Sequence, residues 1–264
     1  MAKSGGRGRP RTSGKDAAAK RPAKAGAPRS GGAKPGGGRS AAKKPSVKKP
    51  VPGPPAASDP PFIEGPFVLG AIPGATPGKW IDLWHERMPR VELVLRPIAV
   101  AEQREALTGT DHDDEALHAA LVRLPIDADG LHIIPLYDET PVVVAAADSH
   151  LMAVDELTLA DLAGEVVVVP EDDVHGVEVA GAVAASFPRP SDTGEAIAIA
   201  AAGVGIVIVP MSLARLHHRK DADFRPLRDG PVSTVALAWV AERTTPAVEA
   251  FVGIVRGRTA NSSR

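Results

Sequence analysis

SDTGEAIAIAAAGVGIVIVPM, residues Ser191–Met211, decides how the rest of the chain is read. Asp192 or Thr193 can cap a helix whose apolar body is Ala196–Ala202. Gly203 then supplies the positive φ that ends a helix. Val204–Val209 follows as an almost unbroken apolar run closed by Pro210. Apolar on both faces, it is expected as a strand buried inside a parallel sheet. Helix, glycine, buried strand and stop make an α/β unit. In open α/β sheets ligands collect where strand C-termini meet helix N-termini, and such a helix end suits an anion. Asp192, Thr193 and Gly194 sit at one. The glycines do not form a dinucleotide loop, because Gly203 and Gly205 lie between a helix and the next strand and a third glycine is missing. Roughly 15 apolar residues also fall short of the ~20 that span a bilayer.

Charge divides the chain in two. Residues 1–60 carry 15 Lys/Arg against two acids, a charge of +13, while the remainder carries 16 against 30, a charge of −14. A basic arm therefore precedes an acidic body, and each needs its own reading. The absence of cysteine excludes disulfides, thiolate metal sites and cysteine nucleophiles. No apolar segment follows the basic N-terminus, so no secretory signal is expected and a cytoplasmic protein is inferred, without membrane attachment.

The arm, residues 1–62, is dominated by Gly, Pro, Ala, Lys, Arg and Ser. Such a segment cannot bury enough apolar area to offset its ordering entropy, so disorder is expected. Within it GGRGRPR, Gly5–Arg11, resembles an AT-hook. The resemblance implies that Arg7, Gly8, Arg9, Pro10 and Arg11 lie in a narrow A·T-rich minor groove. There glycine permits close approach and the guanidinium groups meet an enhanced negative potential. Lys43–Pro45 and Lys48–Pro50 would add phosphate contacts without sequence preference. The bland alternative is a solubilising tail, or one that folds back on the acidic body.

In the body, Phe67–Ala71 reads as a first strand, and Thr76 with Pro77 as the cap and first residue of a helix. Trp80, Leu83 and Trp84 share one face of that helix and are taken as core. Val91–Pro97 alternates as a strand, Ala99–Leu107 reads as a second helix, and Ala119–Val122 as a short strand ending at Arg123. Between them Thr108–Glu115 is a strongly acidic loop; a metal reading of its carboxylates and His112 lacks any ligand spacing, so a solvated loop is the default. Arg123, a cation at a strand end, is a candidate anion partner or an ordinary ion pair. Leu131–Leu136 and Val142–Ala147 are further strands. Thr158–Asp161 has the capping pattern of a helix that Gly164 ends. Val166–Val169 reads as a buried strand, and 171–190 as irregular. Met211–His218 reads as a short helix, Phe224–Leu227 and Val235–Val240 as strands, and Thr245–Pro246 as the start of a last helix reaching Val255. His217 and His218 diverge on their helix and are poor metal ligands.

Alternating strands and helices give an α/β fold. No G-x-S-x-G elbow, P-loop or H-E-x-x-H is present, so an enzyme is disfavoured and no cofactor or metal is expected. Taken in order, FVLGA, MPRVELVL, ALVRLP, GLHIIPLYDETPVVV, LTLADLAGE, AIAIAAAGVGIVIVP and FRPLRD resemble the effector-binding domain of LysR-type transcriptional regulators over about Phe67–Arg256.

That resemblance implies two Rossmann-like lobes of the type II periplasmic-binding-protein kind with a small effector between them. It places the first lobe at 65–141 plus 223–256 and the second at 142–222, within a domain spanning 65–256. Crossovers then fall near Thr140–Val142 and Phe224–Pro226, and a basic polar tail occupies 257–264. The family's N-terminal winged helix-turn-helix and linker helix have no counterpart in the basic arm. Carried over residue by residue, the effector positions are Thr76, Val100, Ala101, Gln103, Arg123, Thr140, Thr193 and Pro210, with an organic acid held by helix-end amides and hydroxyls and by Arg123. The implied partners are a small-molecule effector, DNA through the arm (and so the nucleoid), and a second copy in a homodimer. The alternative is an interaction module that docks a protein partner without sensing an effector. A transport receptor is disfavoured because no export signal is present.

Overall fold

Two main sheets and a two-stranded one are built from the described residues, 65–109 and 116–257 of the computed structural model. Expectations for the arm with Arg7–Arg11, for the loop at 110–115 and for the tail from 258 lie outside these residues.

The first sheet has the order β2-β1-β3-β10-β4. β1 (Phe67–Ala71) is fully buried and pairs in parallel with β2 (Leu93–Pro97) and β3 (Ala119–Arg123). β10 (Ser233–Val240) returns antiparallel between β3 and β4 (Leu131–Glu139). Helix α1 (Gly78–Arg87) covers this sheet, with Trp84 fully buried and Trp80 and Leu83 packed partly buried against the core. Trp84 stacks on Phe67 at 4.7 Å and donates its indole N–H to the carbonyl of Val91 at 2.9 Å. Phe251 of helix α5 (Pro246–Val255) closes the aromatic cluster 5.2 Å from Phe67. Such rings each bury 150–250 Å² and carry much of a core's energy. β2 is the sheet edge, and both Val94 and Leu95 on it are exposed.

The second sheet is β8-β5-β9, from β5 (Pro141–Ala146), β8 (Val207–Pro210) and β9 (Ala222–Pro226). Both pairings are antiparallel, which corrects the parallel environment expected for the apolar run. The run is buried from Ile206 onward, but Val204 is half exposed. Burial on both faces arises in any strand whose two faces are covered, whichever way it runs, so the pattern could not report direction. One parallel contact does exist, a bridge from Ile206 to Val167. Val167 belongs to β6 (Val166–Val167), which pairs with β7 (Val183–Ala184) inside the stretch expected to be irregular.

Helix α3 (Thr193–Ala201) packs on this second sheet. Asp192 caps it by accepting the Glu195 amide, and Gly203 follows at φ +76. Gly205 has a different reason to lack a side chain: a Cβ there would press into the Val166 carbonyl well inside van der Waals contact. The TLAD pattern forms its reciprocal capping box, but on one 3-10 turn, Leu159–Leu162, rather than on an α-helix. Because β9 pairs with β5 throughout, the chain returns to the first sheet only between Pro226 and Ser233, later than the crossover expected at Phe224–Pro226.

Candidate functional site

The two sheets meet at the C-terminal ends of β4 and β8, and there a cleft of about 550 Å³ opens. Gly74–Thr76 and Tyr137–Glu139 form one wall. Met211, Ser212, Arg215 and Leu216 of helix α4 (Met211–Leu216) form the other, and Thr140 lies at the junction. The Thr140 carbonyl accepts the Met211 amide at 3.0 Å, fastening the start of α4 to the strand crossing. The volume is in the range of small-molecule sites, which favour apolar walls with a few polar groups.

Thr76, Thr140 and the end of β8 at Pro210 therefore lie at or beside the cleft. Thr76, however, is exposed and does not cap α1; the residue before that helix is Pro77, and no side chain caps it. Gln103 is buried with both amide atoms committed: it donates to the Arg123 carbonyl and accepts the Arg123 amide, each at 2.8 Å. It clamps the end of β3. Val100 is half-buried against the first core, and Ala101 is exposed just before α2 (Gln103–Thr108). None of these three lines the cleft.

The two residues expected to hold a carboxylate already hold one each. Arg123 is 2% exposed and donates through Nη1 to Glu139 at 2.6 Å and to the Ser233 hydroxyl, reaching across the sheet to the end of β4. Thr193 is also 2% exposed, and its hydroxyl donates to Asp172 at 2.9 Å. The end of α3 is further occupied by the Asp192 cap and by Glu195, which accepts from the Ser191 amide and hydroxyl. A helix N-terminus stabilises negative charge, and here the chain provides it.

His175 of the second lobe feels the charges of the Arg123–Glu139 pair. Burial lowers its pKa from the usual 6.5, and Arg123 adds to the lowering, while Asp173 and Glu139 pull upward. Tyr137 has its pKa raised, first by burial and then by the Glu139 charge. Sequence reasoning missed Tyr137, Glu139, His175, Ser212 and Arg215. The first two lay between the strands expected at Leu131–Leu136 and Val142–Ala147, and Arg215 fell within the short helix read over Met211–His218. Their convergence depends on strands far apart in the chain, which local spacing does not encode. No group of three His, Asp or Glu able to hold a metal occurs among the described residues.

This arrangement, two sheets linked by a double crossing over a cleft, coincides with a match of residues 63–260 to the model of the LysR substrate binding domain. The chain belongs to that family. Domains of this kind are regulatory rather than enzymatic. The Hca operon transcriptional activator HcaR of Escherichia coli K12 is 26% identical over 208 residues, 73% of this chain and 68% of that protein. Among solved structures, the oxidized form of OxyR superposes with a TM-score of 0.57 at 23% identity, covering 76% of this chain and 98% of that one. The BenM effector binding domain with its effector benzoate superposes at 0.59 and 20% identity, covering 76% and 97%. These two likenesses establish the fold, mixed α/β of the type II periplasmic-binding kind. No helix among the described residues is long and apolar enough to cross a membrane.

Proposed function

We propose that this LysR-type domain senses a small organic acid in the cleft between its lobes and acts in transcriptional regulation. The observation that carries the reading is the open cleft, about 550 Å³, walled by both lobes and by the crossing residue Thr140. A ligand held by both walls favours one lobe arrangement over others, which is how a binding event becomes a conformational signal. Thermal unfolding against a panel of small acids tests it. A ligand at 100 times its Kd adds about 2.7 kcal/mol to stability, a shift of several degrees. A panel without any shift would count against sensing.

A second reading has its own support. Because Glu139 and Asp172 fill the two expected anion positions, the domain can instead serve as an interaction module that docks a protein partner. A flat ligand panel together with retained partner binding would favour it.

The arm's charge of +13 over residues 1–60 supports DNA contact, and GRGRPR supports a preference for A·T-rich duplexes. Substituting Arg7, Arg9 and Arg11 by alanine in the full chain should then weaken binding to A·T-rich DNA more than to G·C-rich DNA. An equal loss on both would leave a purely electrostatic tail. A homodimer is the assembly expected of the family, and the exposed β2 edge with Val94 and Leu95 is a surface a second copy could cover. Solution mass tests this directly.

A further inference from the structure

We infer that Arg215, rather than Arg123 or the α3 terminus, anchors the ligand, and that the cleft selects a monocarboxylate with a compact apolar body. This rests on the sensing reading above.

The cations and anions around the cleft decide the matter. Arg123 does not line the cleft: it is sealed at 2% exposure with its charge offset by Glu139 at 2.6 Å, while its Nε and Nη2 stay buried without a hydrogen-bond partner among the described residues. Thr193 has given its hydroxyl to Asp172. Arg215 is exposed, lines the cleft, and makes no side-chain hydrogen bond or ion pair among the described residues. A planar guanidinium is matched to a carboxylate by two parallel N–H bonds, so an entering carboxylate meets its partner there.

Around Arg215 the wall is apolar: Met211, Leu216, Ala75 and the ring of Tyr137, which is 37% exposed. A thioether and an aromatic face fit a compact hydrocarbon or ring. The hydroxyls of Thr76, Thr140 and Ser212 complete the lining. Asp138 sets the limit on charge. It lines the same cleft and accepts from the Thr234 hydroxyl at 2.6 Å, with no cation paired to it among the described residues. One ligand carboxylate balances Arg215, and a second would share the cleft with the Asp138 carboxylate. Like charges repel, so a dicarboxylate of similar shape binds worse.

The test is calorimetric titration and thermal shift of the full chain with benzoate, benzamide and terephthalate, in the wild type, Arg215→Gln and Thr193→Ala. Benzamide keeps the shape without the charge, and terephthalate adds a second carboxylate. Benzoate should bind most tightly. Its Kd should rise about tenfold or more in Arg215→Gln, the scale of one charge-assisted contact, and stay within about twofold in Thr193→Ala. Equal binding of benzoate and benzamide, or tighter binding of terephthalate, would overturn the inference while leaving small-molecule sensing intact. So would benzoate affinity that survives Arg215→Gln or is lost in Thr193→Ala. Binding of none of the three would overturn it together with the organic-acid reading. Arg215 is exposed, so its substitution leaves the fold in place, and a wild-type unfolding midpoint without ligand checks that.

Discussion

The two lobes solve the same packing problem with different materials. The first is built around rings: Phe67, Trp84 and Phe251 interlock within 6 Å of one another, with His118 against Phe67. The second is built mainly from Val, Ile, Leu and Ala around β5 and β8, and at Gly205 its backbone lies close against the Val166 carbonyl. One core is organised around a few large rings, the other around smaller aliphatic side chains. The first lobe should therefore be damaged by truncation and the second by enlargement.

Truncating the aromatic hub has the largest expected effect. Trp84→Ala removes a fully buried ring and its hydrogen bond to Val91, and should cost about 3–5 kcal/mol in chemical denaturation. A loss below about 1 kcal/mol would mean the first core is not organised around the rings. Enlargement comes next. Gly205→Ala places a methyl against the Val166 carbonyl, where the Ile206–Val166 and Val168–Ile206 hydrogen bonds, both 2.8 Å, hold the parallel bridge. About 1–3 kcal/mol should be lost, and a neutral result would show that the bridge can yield.

The pH dependence separates the lobes more finely. His118 accepts the Val68 amide through Nδ1, and burial lowers its pKa from 6.5. The unfolded chain therefore binds a proton that the folded chain resists. His118 contributes stability in full above pH 6.5, and this is lost as pH falls from there toward the lowered folded value. His175, lowered in the same sense, adds a similar slope from the second lobe. Unfolding midpoints between pH 7 and pH 5 should fall, and His118→Gln should flatten part of that fall. An unchanged slope in that variant would assign the dependence to His175 or elsewhere. Smallest is the capping box, where Thr158→Ala should cost about 1 kcal/mol. Asp161 is held below its usual pKa of 3.8 by the Thr158 hydrogen bonds, so that contribution vanishes only in stronger acid.

Features that depend on near neighbours were legible in the sequence. Asp192, Gly203 and the Thr245–Pro246 start all act as their local chemistry requires. Two local readings failed, the Thr76 cap and the length of the helix at Thr158; the larger failures depended on distant partners. The direction of β8 is set by its pairing with β5, whose partners lie 63 to 69 residues away in the chain. The candidate site was half legible. Thr76 and Thr140 could be placed by the family pattern, but that pattern could not reveal that Asp172 and Glu139 answer Thr193 and Arg123. An internal acid 21 residues before Thr193, or 16 after Arg123, has no distinctive spacing.

The bond from the Met211 amide to the Thr140 carbonyl has a mechanical side. Two strand crossings join the lobes, and Thr140 lies at one of them. Helix α4 starts at that crossing and extends about 6 Å from Met211 to Arg215 at 1.5 Å per residue. If a carboxylate docks on Arg215 as proposed, it sits one helical turn from the crossing, with no intervening loop.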